Sequence, residues 1–83
     1  MYVLLSRRDG KLYIGFTNNL KRRLQQHARG EVRSTKNRRP LTLIHYEYFI
    51  NEADAKAREK FLKSGFGRRQ LKEILKRSLT EIL

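Results

Sequence analysis

Apolar residues open the chain and then recur with two different periods. Tyr2-Val3-Leu4-Leu5-Ser6 and Lys11-Leu12-Tyr13-Ile14-Gly15-Phe16 are short runs rich in strand formers, separated by Arg7-Arg8-Asp9-Gly10. Asp-Gly between two such runs is a strong hairpin signal, so both are predicted strands. The first is apolar at consecutive positions and is therefore placed centrally in its sheet. From Leu20 the period changes. Leu20, Leu24 and Ala28 recur every fourth residue behind the cap candidates Thr17-Asn18-Asn19, which predicts an amphipathic helix over 18–29, stopped by Gly30. Residues 29–40 are polar and basic and close on the single proline, Pro40; Leu41 to Ile50 (LTLIHYEYFI) then reads as the longest strand. Behind Asn51 a second helix is predicted over 51–63, with Ala53, Ala57 and Phe61 as its inward stripe. A third, near 68–81, carries Leu71, Ile74, Leu75, Leu79 and Ile82 on one side.

The order β-β-α-β-α-α predicts an α+β fold, a three-stranded, mainly antiparallel sheet flanked by three helices, with residues 1–83 as one domain. The hairpin excludes a helix bundle, and the adjacent opening strands exclude a parallel βαβ array. Leu4, Ile14, Leu24, Ile44, Phe61, Leu71 and Leu75 are the expected core.

Composition narrows the chemistry. Eighty-three residues that are 39% hydrophobic supply one modest core. Zero cysteines exclude disulfides and thiolate zinc sites, and two histidines, His27 and His45, are too few for a histidine metal cage. No apolar run approaches the roughly 20 residues of a membrane span, and the N-terminus lacks a signal-peptide layout, so a soluble, cytoplasmic protein is expected. Charge points to the partner. Twenty Lys and Arg against eight Asp and Glu give +12. Self-repulsion of that size opposes compaction unless an anionic partner offsets it, and nucleic acid is the leading candidate, ahead of an acidic membrane surface.

Eight carboxylates limit catalysis, because a two-metal nuclease needs several acids converging on one site. Asp9 falls in the hairpin turn, Glu31 in the basic loop, and Glu73 and Glu81 on the last helix. Glu52 with Lys56, and Asp54 with Arg58, have the spacing of ordinary helix ion pairs. Glu59, between Arg58 and Lys60, is the most interesting acid, although a pair with Lys63 explains it on composition alone. Arg23 and His27 share a helix face, for which a solvated basic surface is the plain reading. Tyr2 and Tyr13 could pair across strands as simple packing.

Together, Tyr2-Val3-Leu4, Tyr13-Ile14-Gly15, Arg23, His27 and Glu59 resemble the GIY-YIG endonuclease superfamily. The likeness is greatest to its small stand-alone bacterial branch, similar to the N-terminal incision domain of the excision-repair nuclease, excinuclease ABC. KLYIGFTNNLKRRLQQHARG (11–30) and NEADAKAREKFLKSGFGRR (51–69) carry it. Tyr2 follows Met1 directly, without the glycine and isoleucine of the family's first motif. The resemblance implies a DNA endonuclease dependent on Mg²⁺ (or Mn²⁺) that hydrolyses phosphodiester bonds in DNA repair or processing. On that reading Glu59 holds the metal and Arg23 binds a phosphate oxygen. Tyr2 and Tyr13 act on the attacking water, Tyr2 as the favoured base, and His27 bonds a tyrosine hydroxyl or accepts a relayed proton. Lys21, Arg22, Arg29, Arg33, Lys36, Arg38 and Arg39 are expected to track the DNA backbone without reading sequence. A nucleic-acid-binding module that keeps this scaffold with little or no catalysis is the second reading.

Overall fold

The computed structural model describes residues 1–82. Strand β1 (Tyr2–Ser6) runs between β2 (Leu12–Gly15) and β3 (Leu41–Tyr46) and pairs antiparallel with both. All five of its residues are buried, as an apolar run with partners on both edges requires. Asp9 closes the hairpin, its carboxylate accepting the Lys11 N–H at 2.9 Å. Ser6 Oγ accepts the N–H groups of Arg8 and Asp9 and donates to the Arg38 carbonyl at 2.7 Å, which ties the basic loop to the hairpin.

The two-residue alternation of a strand divides β1 between two faces. Val3 and Leu5, beside Ile14 and Leu12 of β2, form the principal core with Met1, Leu62, Leu71 and Leu75, and Ile44, Phe49 and Leu79 pack on its margin. Tyr2, Leu4 and Ser6 take the other face, covered by helix α1 (Leu20–Ala28) and the loop after it. Asn19 caps α1 by accepting the Arg22 N–H at 3.1 Å, and Asn51 caps α2 (Glu52–Lys63) through the Ala53 N–H at 2.8 Å.

Ser64 ends α2 and caps α3 (Gly65–Ile74), accepting the Gly67 N–H at 3.1 Å. Gly67 is buried where a Cβ would collide with the Phe61 carbonyl, so the tight crossing of α2 and α3 requires glycine there. The single helix expected over 68–81 is therefore two. It starts earlier because Ser64 caps it, and it breaks at Leu75, whose backbone (φ −98°, ψ 11°) leaves the helical region as its side chain turns into the core; α4 (Lys76–Ile82) follows.

Several side chains depart from the expected stripes. The inward line of α2 is Ala55 and Leu62, not Ala53, Ala57 and Phe61. The Gly67 crossing sets the rotation of α2, leaving Phe61 37% exposed and packed edge-on against Phe66. Leu24 and Ile44 are half-buried, Ile74 is exposed, and the side chain of Ile82 lies outside the described part. On α1 the fully buried residue is His27, while Ala28 is exposed. Strand β3 ends at Tyr46 instead of Ile50. Glu52 pairs with Lys56 at 3.3 Å, but Arg58 forks onto Glu47 at 3.0 Å instead of Asp54. Among the described residues, no helix is long and apolar enough to cross a membrane.

The rotation of α2 is testable. Leu62→Ala empties a fully buried site and should cost about 2–5 kcal/mol, whereas Phe61→Ala should cost roughly 1 kcal/mol. Urea denaturation followed by circular dichroism measures both, and equal losses would contradict this packing.

Candidate active site

The β1–β2 register sets Tyr2 opposite Gly15 and Tyr13 opposite Leu4, so the two tyrosines are diagonal neighbours on one face. Their ring centroids lie 6.3 Å apart. Above them α1 presents Arg23 and His27, one turn apart. His27 Nε2 is 2.8 Å from the Tyr2 hydroxyl, and its Nδ1 is 2.7 Å from Thr35 Oγ1. Arg23 Nε donates to the Tyr2 oxygen at 3.4 Å and Nη1 donates to Gln26 Oε1 at 3.2 Å. The Tyr13 ring stands edge-on to the imidazole, 5.2 Å between centroids. A Cβ on Gly15 would sit 2.6 Å from the Tyr2 hydroxyl, so the third residue of Tyr13-Ile14-Gly15 is glycine to let the phenol pass.

Tyr2 and His27 are each only 1% exposed. Burial, aided by the Arg23 charge, pulls His27 down to about 4, so its ring is neutral at pH 7. A neutral imidazole has one donor and one acceptor nitrogen. Because Arg23 already donates to the phenol oxygen, the consistent assignment has Tyr2 O–H donating to Nε2 and Nδ1–H donating to Thr35. Burial pushes the Tyr2 phenol above its ordinary value against the opposing hydrogen bond from Arg23, and that same hydrogen bond raises Arg23. The result is a neutral phenol–imidazole–hydroxyl chain beside one fixed cation.

Four of the five expected site residues thus come together; a solvated basic face for Arg23 and His27 is overturned by burial of the imidazole. Glu59 is not hydrogen-bonded to them. Its side chain is 21% exposed, and its carboxylate accepts from Lys63 Nζ at 2.8 Å. It follows Ala55 by one helical turn, and Ala55 lines the same groove of about 350 Å³ as Tyr2. No group of three or more His, Cys, Asp or Glu able to hold a metal occurs among the described residues. One carboxylate still fits Mg²⁺, which binds through one or two carboxylates and completes its shell with water and substrate phosphate.

The basic residues divide into two sets. Arg38 pairs with Asp9 at 3.1 Å, and Arg39 donates to the Lys36 and Ala28 carbonyls at 2.9 and 3.3 Å. Both brace the loop, and Arg39 stays exposed. Arg29 lies 4.0 Å from Glu31. Lys21, Arg22, Arg33 and Lys36 are exposed, with no ion pair among the described residues. Sequence reasoning missed Thr35, Ser6 and Gln26. Gln26 stands one turn from Arg23 on α1 and Ser6 ends the alternation of β1, whereas Thr35 lies in a loop without periodicity; only the passage of the 29–40 loop over β1 brings Thr35 and Ser6 to their partners.

Residues 1–72 match the family model described as the GIY-YIG catalytic domain, a span that holds every residue of this cluster and Glu59. The chain belongs to the GIY-YIG family. That places it in a nuclease superfamily and makes nucleic acid its class of partner. Among its relatives, a UPF0213 protein of Clostridium perfringens is 34% identical over 79 residues, 94% of this chain and 85% of the relative. A UPF0213 protein of Staphylococcus haemolyticus is 35% identical over 71 residues, covering 84% and 87%. One from the archaeal genus Natronomonas (N. pharaonis) is 42% identical over 65 residues, covering 77% and 75%. No solved structure matches.

Two predictions arise from this GIY-YIG cluster. His27 titrates near 4 when folded against an ordinary 6.5, so between those values the unfolded chain binds more protons. Stability is then full above about pH 6.5 and falls as pH drops toward 4, by about 2–3 kcal/mol from this group. Urea titrations at pH 7.5, 6 and 5 should show that slope in the wild type and a flatter one in His27→Gln; a flat wild type would mean a solvated imidazole. Secondly, Lys21→Ala with Arg22→Ala and Arg33→Ala should lower nucleic-acid affinity and reduce the salt slope by about one per lost contact, equally on unrelated sequences. Fluorescence anisotropy against salt checks it, and a loss confined to one sequence would refute backbone contact.

Proposed function

We propose that this protein is a Mg²⁺- or Mn²⁺-dependent DNA endonuclease that hydrolyses phosphodiester bonds, acting in DNA repair or processing in the cytoplasm. The observation that carries the reading is the buried chain from Tyr2 through His27 to Thr35, with Arg23 on the phenol oxygen. Such a chain can move a proton without first forming an exposed phenolate. As water attacks phosphorus, its proton passes to the Tyr2 oxygen while the Tyr2 proton passes to His27 Nε2, which a neutral imidazole can accept. The imidazolium so formed keeps its Nδ1–H on Thr35, and the burial that holds His27 near 4 favours return of the proton afterwards.

Arg23 neutralises charge that builds on the phenol and on the non-bridging phosphate oxygens. Tyr13 keeps part of its ring in solvent, and it orients the water and phosphate. Glu59 would hold the Mg²⁺ or Mn²⁺ ion, which when bound supplies positive charge at the leaving 3′ oxygen. Lys63 must release Glu59 for this. Lys21, Arg22 and Arg33 hold the DNA backbone, with Lys36 and Arg29 beside them, which supports weak sequence preference. The Lys63–Glu59 pair is also the observation that favours the second reading, a nucleic-acid-binding module in which the acid is neutralised internally and cleavage is feeble or absent.

Glu59→Gln separates the two. It should leave folding within roughly 0.5 kcal/mol and hold or slightly raise DNA affinity in EDTA. Nicking in Mg²⁺ should fall about a thousandfold, as several kcal/mol of transition-state stabilisation are lost. Supercoiled, flapped and single-stranded DNA are the substrates. Equal cleavage by both proteins would remove Glu59 from the metal role, and no cleavage by the wild type on any of these substrates would favour the binding module.

A further inference from the structure

From the last residue of β3 onward the outward-facing positions are not polar. Tyr46, Tyr48 and Ile50 are 61%, 83% and 94% exposed, while the alternating Glu47 and Phe49 are half-buried, Phe49 against the core. An exposed Tyr-x-Tyr-x-Ile face on a protein of net charge +12 is costly to leave in water and marks a contact surface. These three residues, with Phe16, Leu20 and Phe49, line the groove of about 350 Å³ that Tyr2 also borders. That volume is at the small end of ligand pockets, room for one planar ring system.

We infer that this groove is a nucleobase subsite, which takes one unpaired base of the DNA strand next to the phosphate held at Tyr2 and Arg23. The inference rests on the proposed phosphate site for its position, but not on cleavage. Three features select a base as the occupant. The groove is continuous with the candidate catalytic cluster, because Tyr2 belongs to both, so a strand with its phosphate at Arg23 has a flanking base within reach. Aromatic faces stack on any base, and tyrosines presented on one edge form such a platform. The carboxyl-bearing residues Glu47 and Glu52 also line the groove, which disfavours a phosphate inside it and leaves room for an uncharged ring.

The wall is also held in place before any ligand arrives. The Met1 ammonium donates to the Glu47 carbonyl at 2.9 Å, and the Glu47 N–H donates to the Met1 carbonyl at 2.9 Å. Arg58 and His45 both hold the Glu47 carboxylate, at 3.0 and 2.9 Å. The hydrogen bonds from His45 and Arg58 outweigh burial and keep that carboxylate below its usual range, hence charged at neutral pH. Across the groove Lys56 Nζ sits 5.5 Å from the centre of the Phe16 ring and 3.3 Å from Glu52. A platform fixed in this way loses little freedom on binding. A base paired within a duplex is stacked on its neighbours and cannot enter, so the subsite favours single strands, flaps and bulges over intact duplex.

The test uses a single-stranded oligonucleotide carrying 2-aminopurine, and the same strand in a full duplex, titrated in EDTA so that cleavage plays no part. Wild-type protein should quench the single-stranded probe and bind it more tightly than the duplex. Tyr48→Ala, at a position too exposed to matter for folding, should lose the quench and weaken single-strand binding roughly tenfold, with duplex binding unchanged. Tyr48→Phe should behave as wild type, since the ring and not the hydroxyl stacks. Unchanged quenching in Tyr48→Ala, or equal loss on single strand and duplex, would overturn the subsite. So would light scattering that shows a wild-type dimer split by Tyr48→Ala, which would make the groove an interface between copies. Quenching without cleavage in Mg²⁺ would count against the nuclease reading and leave the subsite standing.

Discussion

The chain of hydrogen bonds from Tyr2 to His27 to Thr35 constrains the rest of this structure. Three polar side chains are taken out of water together, and such groups cost several kcal/mol if left unpaired, so their positions must agree closely. Each member comes from a different element: Tyr2 from β1, His27 from α1, Thr35 from the basic loop. Satisfying all three fixes how α1 lies on the sheet and forces the loop to return over β1. It also demands a glycine at position 15, where a side chain would displace the phenol. Among the described residues no buried side-chain polar atom lacks a partner.

A second constraint is the charge. With +12 on 83 residues, the fold uses part of its basic complement as internal struts. Arg38 on Asp9 and Arg58 on Glu47 join segments distant in sequence through half-sheltered contacts, and Arg39, itself exposed, ties two carbonyls of the helix end and the loop. The i,i+4 pairs Glu52–Lys56 and Glu59–Lys63 are local, and such exposed pairs contribute little to stability. Their consequence is electrostatic: Lys63 neutralises the Glu59 carboxylate in this structure. The arginines that brace the loop and those left without an ion pair among the described residues are the same residue type in the same stretch, separated only by which acids and carbonyls the fold brings near.

The two faces of the sheet divide the work. The face under α2 and α3 is a dry aliphatic core in which Gly67 allows the helices to cross closely and Leu62 fills the centre. The face under α1 is aromatic and polar and holds Tyr2, Tyr13, Arg23 and His27. The groove beside Tyr2 opens where the segment after β3 leaves the sheet, between the start of α1 and the first turns of α2.

Much of this was legible in the amino-acid order. Strands, hairpin, caps and the central place of β1 follow from local rules: the two-residue and 3.6-residue periods, Asp-Gly, and the capping asparagines Asn19 and Asn51. The site residues were legible as a motif, since Tyr13-Ile14-Gly15 and the Arg23–His27 spacing are contiguous signals. Phase and pairing were not. Whether Phe61 or Leu62 faces inward depends on how α2 rotates against α3, a choice that one close contact at Gly67 decides and that apolar periodicity over twelve residues does not resolve. Thr35, the bracing roles of Arg38 and Arg39, and the Arg58–Glu47 fork join residues 8 to 32 positions apart or lie in a loop without periodicity. The local order of the chain determined the elements, the chemical kit and the Glu59–Lys63 pair; only the packed structure decided which arginines are struts and that His27 is buried and neutral, because those depend on burial and long-range neighbours.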